Sequence, residues 1–204
     1  MPRISLLLWD VGGVLLSNGW DHRGRAAAAA RFRLDARELE RRHAAVEAEF
    51  ETGRLSEEAY LDATVFYEPR AFSRDEFRAF IRAQSMPQPV AIATARALKA
   101  GGEYRLATLN NESRELNEYR IRTFGLGEIF DDFFSSCFTG RRKPDPAAYR
   151  GALDVLRRSP DETLFLDDRS ENVAAAEALG IHALRVLDPG RLPELLERSG
   201  VPVH

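Results

Sequence analysis

A single cysteine, Cys137, stands in the 204 residues, so the chain cannot form a disulfide within itself and a disulfide-stapled fold is excluded. Neither sign of charge is in large excess: 29 Lys and Arg against 32 Asp and Glu leave a formal charge of −3, which gives no overall attraction for nucleic acid. No apolar run approaches the length of a membrane span. The N-terminal apolar stretch is cut by Asp10 too early to serve as the core of a signal peptide. Repeats and low-complexity tracts are missing beyond the short Ala26 to Ala30 run. These absences predict a cytoplasmic globular protein with neither nucleic-acid nor membrane partners. They carry no sign of oligomeric state. At 44% hydrophobic and 30% charged residues, the chain can bury a core of one medium domain with an insertion, or of two small domains.

What is present begins at Asp10. It ends the apolar run Ile4-Ser5-Leu6-Leu7-Leu8-Trp9, which reads as a buried strand, and Gly12 and Gly13 follow to turn the chain. A carboxylate at the carboxyl end of a buried strand sits where open α/β sheets bind ligands. After residue 90 the chain alternates. Helical stretches are expected over Val90–Ala100, Glu112–Phe124, Asp145–Arg158 and Glu171–Leu179, with Asp145 as N-cap and Pro146 in the first turn of the third. Strands are expected over Tyr104–Leu109, Phe133–Phe138, Thr163–Leu166 and Ile181–Leu187. Such alternation predicts an α/β fold with a doubly wound parallel sheet covered on both faces.

Residues 17–89 break the pattern. A helix is expected over Arg23–Phe32. Asp35 with Glu38, and Ser73 with Glu76, have the spacing of capping boxes, and Phe72 with Phe77 that of a hydrophobic staple. Leu39, His43, Val46 and Phe50 fall at helical spacing up to Gly53, and Ser56 opens another helix. The expected division is therefore a Rossmann-like core of residues 1–16 and 90–204, with a small helical cap, residues 17–89, inserted after the first strand. An insertion there lies over the ligand crevice and can exclude water and select substrates.

Three strand ends carry polar groups, Asp10, Asn110-Asn111 and Asp167-Asp168, and Lys143 lies in the loop after a fourth strand. Carboxylates from two strands with one lysine suit a Mg²⁺-assisted reaction on a phosphate, since Mg²⁺ favours a few carboxylates with substrate oxygens and water. Lys143 balances charge on nucleophile and phosphate alike. A carboxylate can itself attack, giving an acyl phosphate that water cleaves.

These residues resemble the haloacid dehalogenase superfamily of aspartate-nucleophile hydrolases. The resemblance lies in Trp9-Asp10-Val11-Gly12-Gly13-Val14-Leu15, Leu109-Asn110-Asn111, Arg142-Lys143-Pro144-Asp145-Pro146 and Phe165-Leu166-Asp167-Asp168-Arg169-Ser170-Glu171-Asn172, in order and across essentially the whole chain. The last stretch is most similar to the branch containing bacterial glucose-1-phosphate phosphatases and the phosphatase domain of soluble epoxide hydrolases. The resemblance implies Asp10 as nucleophile and Mg²⁺ ligand, and Gly12 as a carbonyl donor to the metal. It implies Lys143 as the contact to phosphate and to Asp10. Asp168 is the implied acidic metal ligand, with Asp167 behind it through water and Asn172 orienting the pair. Asn110 and Asn111 are the implied phosphate-binding residues. Asn18 and Trp20 follow the first motif closely and are expected to touch substrate.

Two positions depart from that pattern. Phosphatases of the superfamily usually carry a second aspartate two residues after the nucleophile, as proton donor to the leaving oxygen, and here Gly12 stands in its place. The Ser or Thr that usually bonds the phosphate is replaced by Asn110, whose amide can still donate. Thr108, two residues earlier, is expected to be packed within its strand. His22, His43, His182 and His204 form no ligand-spaced cluster, and structural roles are expected for them. Cys137 is expected to be packed in a strand, and the arginines around Arg23 and Arg41 to lie on exposed helix faces. Arg141 and Arg142 read either as anion attractors or as a solvated loop.

The expected function is a Mg²⁺-dependent phosphatase of a small phosphorylated metabolite, a sugar phosphate among the options. Its alternatives are a 2-haloacid dehalogenase using the same aspartate without metal, and a weakly catalytic protein that binds phosphorylated ligands. Proton donation to a leaving group is worth roughly 10² to 10⁴ in rate, so Gly12 should penalise poor leaving groups. Aryl phosphates and sugar 1-phosphates should therefore give higher turnover numbers than primary alkyl phosphates in steady-state assays. Equal values with chemistry rate-limiting would contradict this.

Overall fold

In a computed structural model, residues 3–203 are described. His204 lies outside them. The sheet is built from β1 (Leu6–Trp9), β2 (Arg105–Asn110), β3 (Asp132–Ser135), β4 (Thr163–Asp167) and β5 (His182–Arg185), all parallel in the order β3-β2-β1-β4-β5. β1 is thus the central strand, with Leu8 in register with Ala107 on one side and Phe165 on the other. Between β1 and β2 lie α1 (His22–Phe32), α2 (Ala36–Glu51), α3 (Glu57–Thr64), α4 (Arg74–Ala83) and α5 (Pro89–Gly101). The rest of the chain supplies α6 (Arg114–Thr123), α7 (Ser136–Thr139), α8 (Pro146–Leu156), α9 (Ser170–Glu177) and α10 (Leu192–Arg198). The fold is α/β, as the alternation predicts.

Successive side chains of β1 point to opposite faces, and both faces are buried. Leu7 and Trp9 pack with Ala95 and Leu98 of α5 and Leu196 of α10. Leu6 and Leu8 pack with Ala152 and Leu156 of α8 and Ala176 of α9. A third cluster draws Trp20, Leu39, Tyr60 and Phe77 from the segment between β1 and α5 onto Leu116 of α6. The chain passes into and out of that segment side by side: Leu16 pairs antiparallel with Pro87, and the Ser17 N–H donates to the Met86 carbonyl at 2.8 Å.

Most expected elements form, and the local chemistry explains the differences. Ser73 and Glu76 make a complete capping box, with Phe72 stacked on Phe77 at 5.8 Å between ring centroids. Asp35 caps α2, but Glu38 turns outward to Arg41 and Arg42, so the reciprocal half of that box is missing. The strand expected to run to Phe138 stops at Ser135. Cys137 lies instead in the one-turn helix α7, buried, and Gly140 closes that turn in the left-handed region. A short apolar run does not separate strand from helical turn by its pattern. The final helix α10 goes beyond the elements expected from the sequence.

Leu8 is fully buried in the central strand. Leu8→Ala should lower unfolding free energy by about 2–5 kcal/mol in denaturant titrations, as large-to-small core changes do.

Candidate active site

Because β2 and β4 flank β1, the turns that follow all three strands line one cavity of about 200 Å³, through Asp10, Asn111 and Arg169. Asp10 follows β1 directly, held in line by its own N–H donating to the Leu166 carbonyl at 2.8 Å. Its Oδ1 accepts from the Val11 N–H at 2.7 Å and lies 3.1 Å from Lys143 Nζ. Lys143 also donates to Asp167 Oδ2 at 2.5 Å. Asp167 is fully buried, and its Oδ1 accepts from the Arg169 N–H at 2.8 Å and from Asn172 Nδ2 at 3.0 Å. Asn172 is fixed in turn by Tyr149, whose hydroxyl donates to its carbonyl at 2.9 Å.

Asp168, the next residue, has different partners. Its Oδ2 accepts from Asn18 Nδ2 at 3.0 Å, while its Oδ1 is buried without a hydrogen-bond partner among the described residues. Oxygens of Asp10, Asp167 and Asp168 come within 4.8 Å of one another. Three carboxylates around one ammonium leave an excess of negative charge, costly in a buried site unless a cation offsets it. The all-oxygen donor set, the unpartnered Asp168 Oδ1 and the charge excess fit a hard divalent cation. Gly13 (φ +76°) permits the close approach, since a Cβ there would lie 2.2 Å from Asp168 Oδ2.

Burial is the main influence on Asp10. Against the lowering effect of Lys143, and with Asp167 and Asp168 adding to the rise, it pushes the Asp10 carboxyl up to about 8. Burial opposes the charge on Lys143, but Asp10 and Asp167 together outweigh it and hold the ammonium above its ordinary range.

Several expected site residues behave differently from the sequence reading. Asn110 does not line the cavity: its Nδ2 donates to Asn117 Oδ1 at 3.1 Å and its Oδ1 accepts from Ser135 at 2.8 Å. One amide hydrogen of Asn110 and its oxygen are thus spent on α6 and β3, away from the cavity. Asn111 does line the cavity, but its amide is used on both backbone groups of Lys143, at 2.8 and 2.9 Å, so it positions the lysine. Gly12, Asn18 and Trp20 line the same cavity, and Trp20 donates to the Tyr60 hydroxyl at 2.7 Å. Thr108 is buried in β2, as expected.

Other lining residues escaped the sequence reading. Arg25 is buried, paired with Glu40 at 2.8 and 2.9 Å, rather than on an exposed face. Arg120 is buried in α6 and donates to Glu112 at 2.7 Å, to Ser85 at 3.0 Å and to the Ser17 carbonyl at 3.3 Å. Its place beside Leu116 and Asn117 on the inner face of α6 was the available signal. His43, Glu47 and Glu51 of α2 also line the cavity. Arg142 does not; it forms an ion pair with Glu51 at 2.7 Å.

The haloacid dehalogenase-like hydrolase family matches residues 4–180. The chain belongs to that family. This haloacid dehalogenase-like hydrolase is 31% identical to bifunctional epoxide hydrolase 2 of Rattus norvegicus over 133 residues, 64% of this chain and 24% of that protein. It is 43% identical over 61 residues to the sesquiterpene phosphatase astK of Aspergillus oryzae, 30% of this chain and 31% of that protein. The chain thus spans less than a third of the length of either relative. Among solved structures, it resembles a HAD family enzyme of Bacteroides thetaiotaomicron in complex with magnesium and inorganic phosphate. The TM-score is 0.72 at 20% identity, over 89% of this chain and 93% of that one, a likeness of fold. Among the described residues of this hydrolase, no helix is long and apolar enough to cross a membrane.

A carboxyl raised from 3.8 to about 8 on folding makes the folded protein bind a proton that the unfolded chain releases. Its stabilising share is present below the lower value and lost as pH rises through the upper one. In chelator, denaturant titrations should therefore show stability falling between those limits, and Asp10→Asn should flatten that slope. An unchanged slope would show that Asp10 is not the group responsible.

Proposed function

We propose that this hydrolase is a Mg²⁺-dependent phosphatase of a small phosphorylated metabolite, with sugar phosphates the favoured class. The observation that carries the reading is the meeting of three carboxylates and a single ammonium at the open end of the sheet, with Asp168 Oδ1 unpartnered. Phosphatase relatives and a fold shared with a magnesium- and phosphate-bound enzyme support it. In this reading residues 17–89 form a cap over a core of residues 1–16 and 90–204, and the polar lining around Trp20, Glu47 and Glu51 suits a small hydroxylated organic group.

Asp10 is the nucleophile. A lone pair of its carboxylate forms a bond to phosphorus, and the bond from phosphorus to the leaving oxygen breaks. That oxygen leaves with the electron pair and takes its proton from water, since Gly12 has no side chain to give one. A second water then attacks the phosphorus as the bond from phosphorus to the Asp10 oxygen breaks, releasing inorganic phosphate and the free Asp10 carboxylate, and the proton this water sheds neutralises the hydroxide left by the first. Lys143 holds the phosphate and opposes charge build-up on its oxygens. Asp10, the Gly12 carbonyl, Asp168 and, through water, Asp167 would hold Mg²⁺, which supplies charge balance for the meeting of two anions. Asn172 and Asn111 position Asp167 and Lys143. The three clustered carboxylates weigh against a metal-free haloacid dehalogenase, whose site gains nothing from the added negative charge.

Phosphate release should be measured over sugar phosphates, nucleotides and aryl phosphates, with Mg²⁺ and with chelator. Activity should require Mg²⁺, and Asp10→Asn should remove it by on the order of 10³ or more. Activity indifferent to chelator or to Asp10→Asn would refute the assignment, and halide release from a 2-haloacid in chelator would favour the dehalogenase.

A further inference from the structure

His43 is 5% exposed, lies on α2 in the inserted segment, and lines the same cavity as Asp10 and Lys143. Its two ring nitrogens have different surroundings. Nδ1 lies 2.9 Å from the Tyr60 hydroxyl. Nε2 is buried with no hydrogen-bond partner among the described residues, and Glu47 Oε1 stands 3.6 Å away, beyond bonding distance.

The proton on Nε2 follows from the chain of bonds behind the ring. An indole N–H only donates, so Trp20 gives its hydrogen to the Tyr60 oxygen at 2.7 Å. The Tyr60 hydroxyl hydrogen then needs an acceptor in a fully buried place, and His43 Nδ1 is the group within reach. A neutral ring accepting at Nδ1 carries its hydrogen on Nε2, and a protonated ring carries one there as well. The remaining tautomer would strand the Tyr60 hydrogen, at the cost of an unmade buried hydrogen bond. His43 Nε2 is therefore a fixed donor, and Glu47 beside it is an acceptor on the next turn of the same helix. Standing 3.6 Å apart, too far for a full hydrogen bond, the donor and the acceptor can both be met by one hydroxyl group, which accepts from the first and donates to the second.

We propose that His43 and Glu47 determine specificity by binding a hydroxyl of the leaving group, so that the preferred substrate is a phosphate ester of a polyhydroxylated compound. The proposal rests on the phosphatase reading above. Asp10 and Lys143 take the phosphate end, which leaves the organic part of the ester to reach α2. Arg142 Nη2 also stands 3.6 Å from Glu47 Oε1, a second positive group beside that carboxylate. Neither residue touches the reacting phosphorus; their effect is on which ester is held.

The test compares two kinds of substrate in the full-length enzyme: a panel of aldose phosphates, and p-nitrophenyl phosphate, whose leaving group has no further hydroxyl. His43→Asn keeps an acceptor for the Tyr60 hydroxyl but ends short of the Nε2 position. It should lower kcat/KM for the best aldose phosphate about tenfold, the scale of one lost hydrogen bond to a buried group, and change p-nitrophenyl phosphate by less than about twofold. Glu47→Gln, at a half-exposed position, should give the same selective loss on a smaller scale and carries the test if His43→Asn does not fold. Equal losses on both kinds of substrate, or no loss on either, would overturn the proposal. Wild-type enzyme releasing no phosphate from any compound would instead defeat the phosphatase reading beneath it.

Discussion

The structure around the cavity is organised by one imbalance: a lone ammonium, Lys143, placed between Asp10 and Asp167 with a third carboxylate, Asp168, close by. Burying like charges together is unfavourable, and an arrangement of this kind persists only where its surroundings fix it. Asn111 holds the Lys143 backbone at both its N–H and its carbonyl, the Val11 N–H holds Asp10, and Asn172 with the Arg169 N–H holds Asp167. Each fastening comes from the turn or the helix that follows a different strand. The parallel sheet is therefore more than a platform: its strand order decides which charges meet.

A second buried charge pair, Arg120 with Glu112, does comparable work at the edge of the same cavity. Arg120 reaches Ser17 on the way into the inserted segment and Ser85 on the way out. One guanidinium thus gathers both chain crossings onto α6, next to the point where Leu16 and Pro87 pair. The planar fork of arginine suits this, since it can serve several acceptors in fixed directions.

The strand ends were legible because buried parallel strands are written as unbroken apolar runs, and a carboxylate after such a run is conspicuous, as at Asp10 and at Asp167-Asp168. The caps at Asp145, Ser56 and Ser73 were legible because they are local chemistry. What lay hidden was long-range. Asn110 and Asn111 are neighbours of the same residue type, and only the packing of α6 and of the Lys143 loop sends one inward to Asn117 and the other to a backbone. Arg25 read as a surface residue and Arg120 did not stand out, because their partners, Glu40, Glu112 and Ser85, are distant in sequence. His43 sits on an apolar helical stripe, and its place in the cavity wall depends on where α2 lies over the sheet.

The glycine at position 12 is tied to a residue six positions further on. A Cβ added there would stand 2.9 Å from Asn18 Oδ1, so the amide of Asn18 occupies room that a side chain at 12 would need. Asn18 is itself bonded to Asp168. Installing an acid at position 12 is consequently a two-site problem: Asn18 would have to shrink or swing away, and Asp168 would lose its neighbour in the exchange. The two side chains compete for one space, so position 12 can carry an acid only when the Asn18 amide gives up its present place.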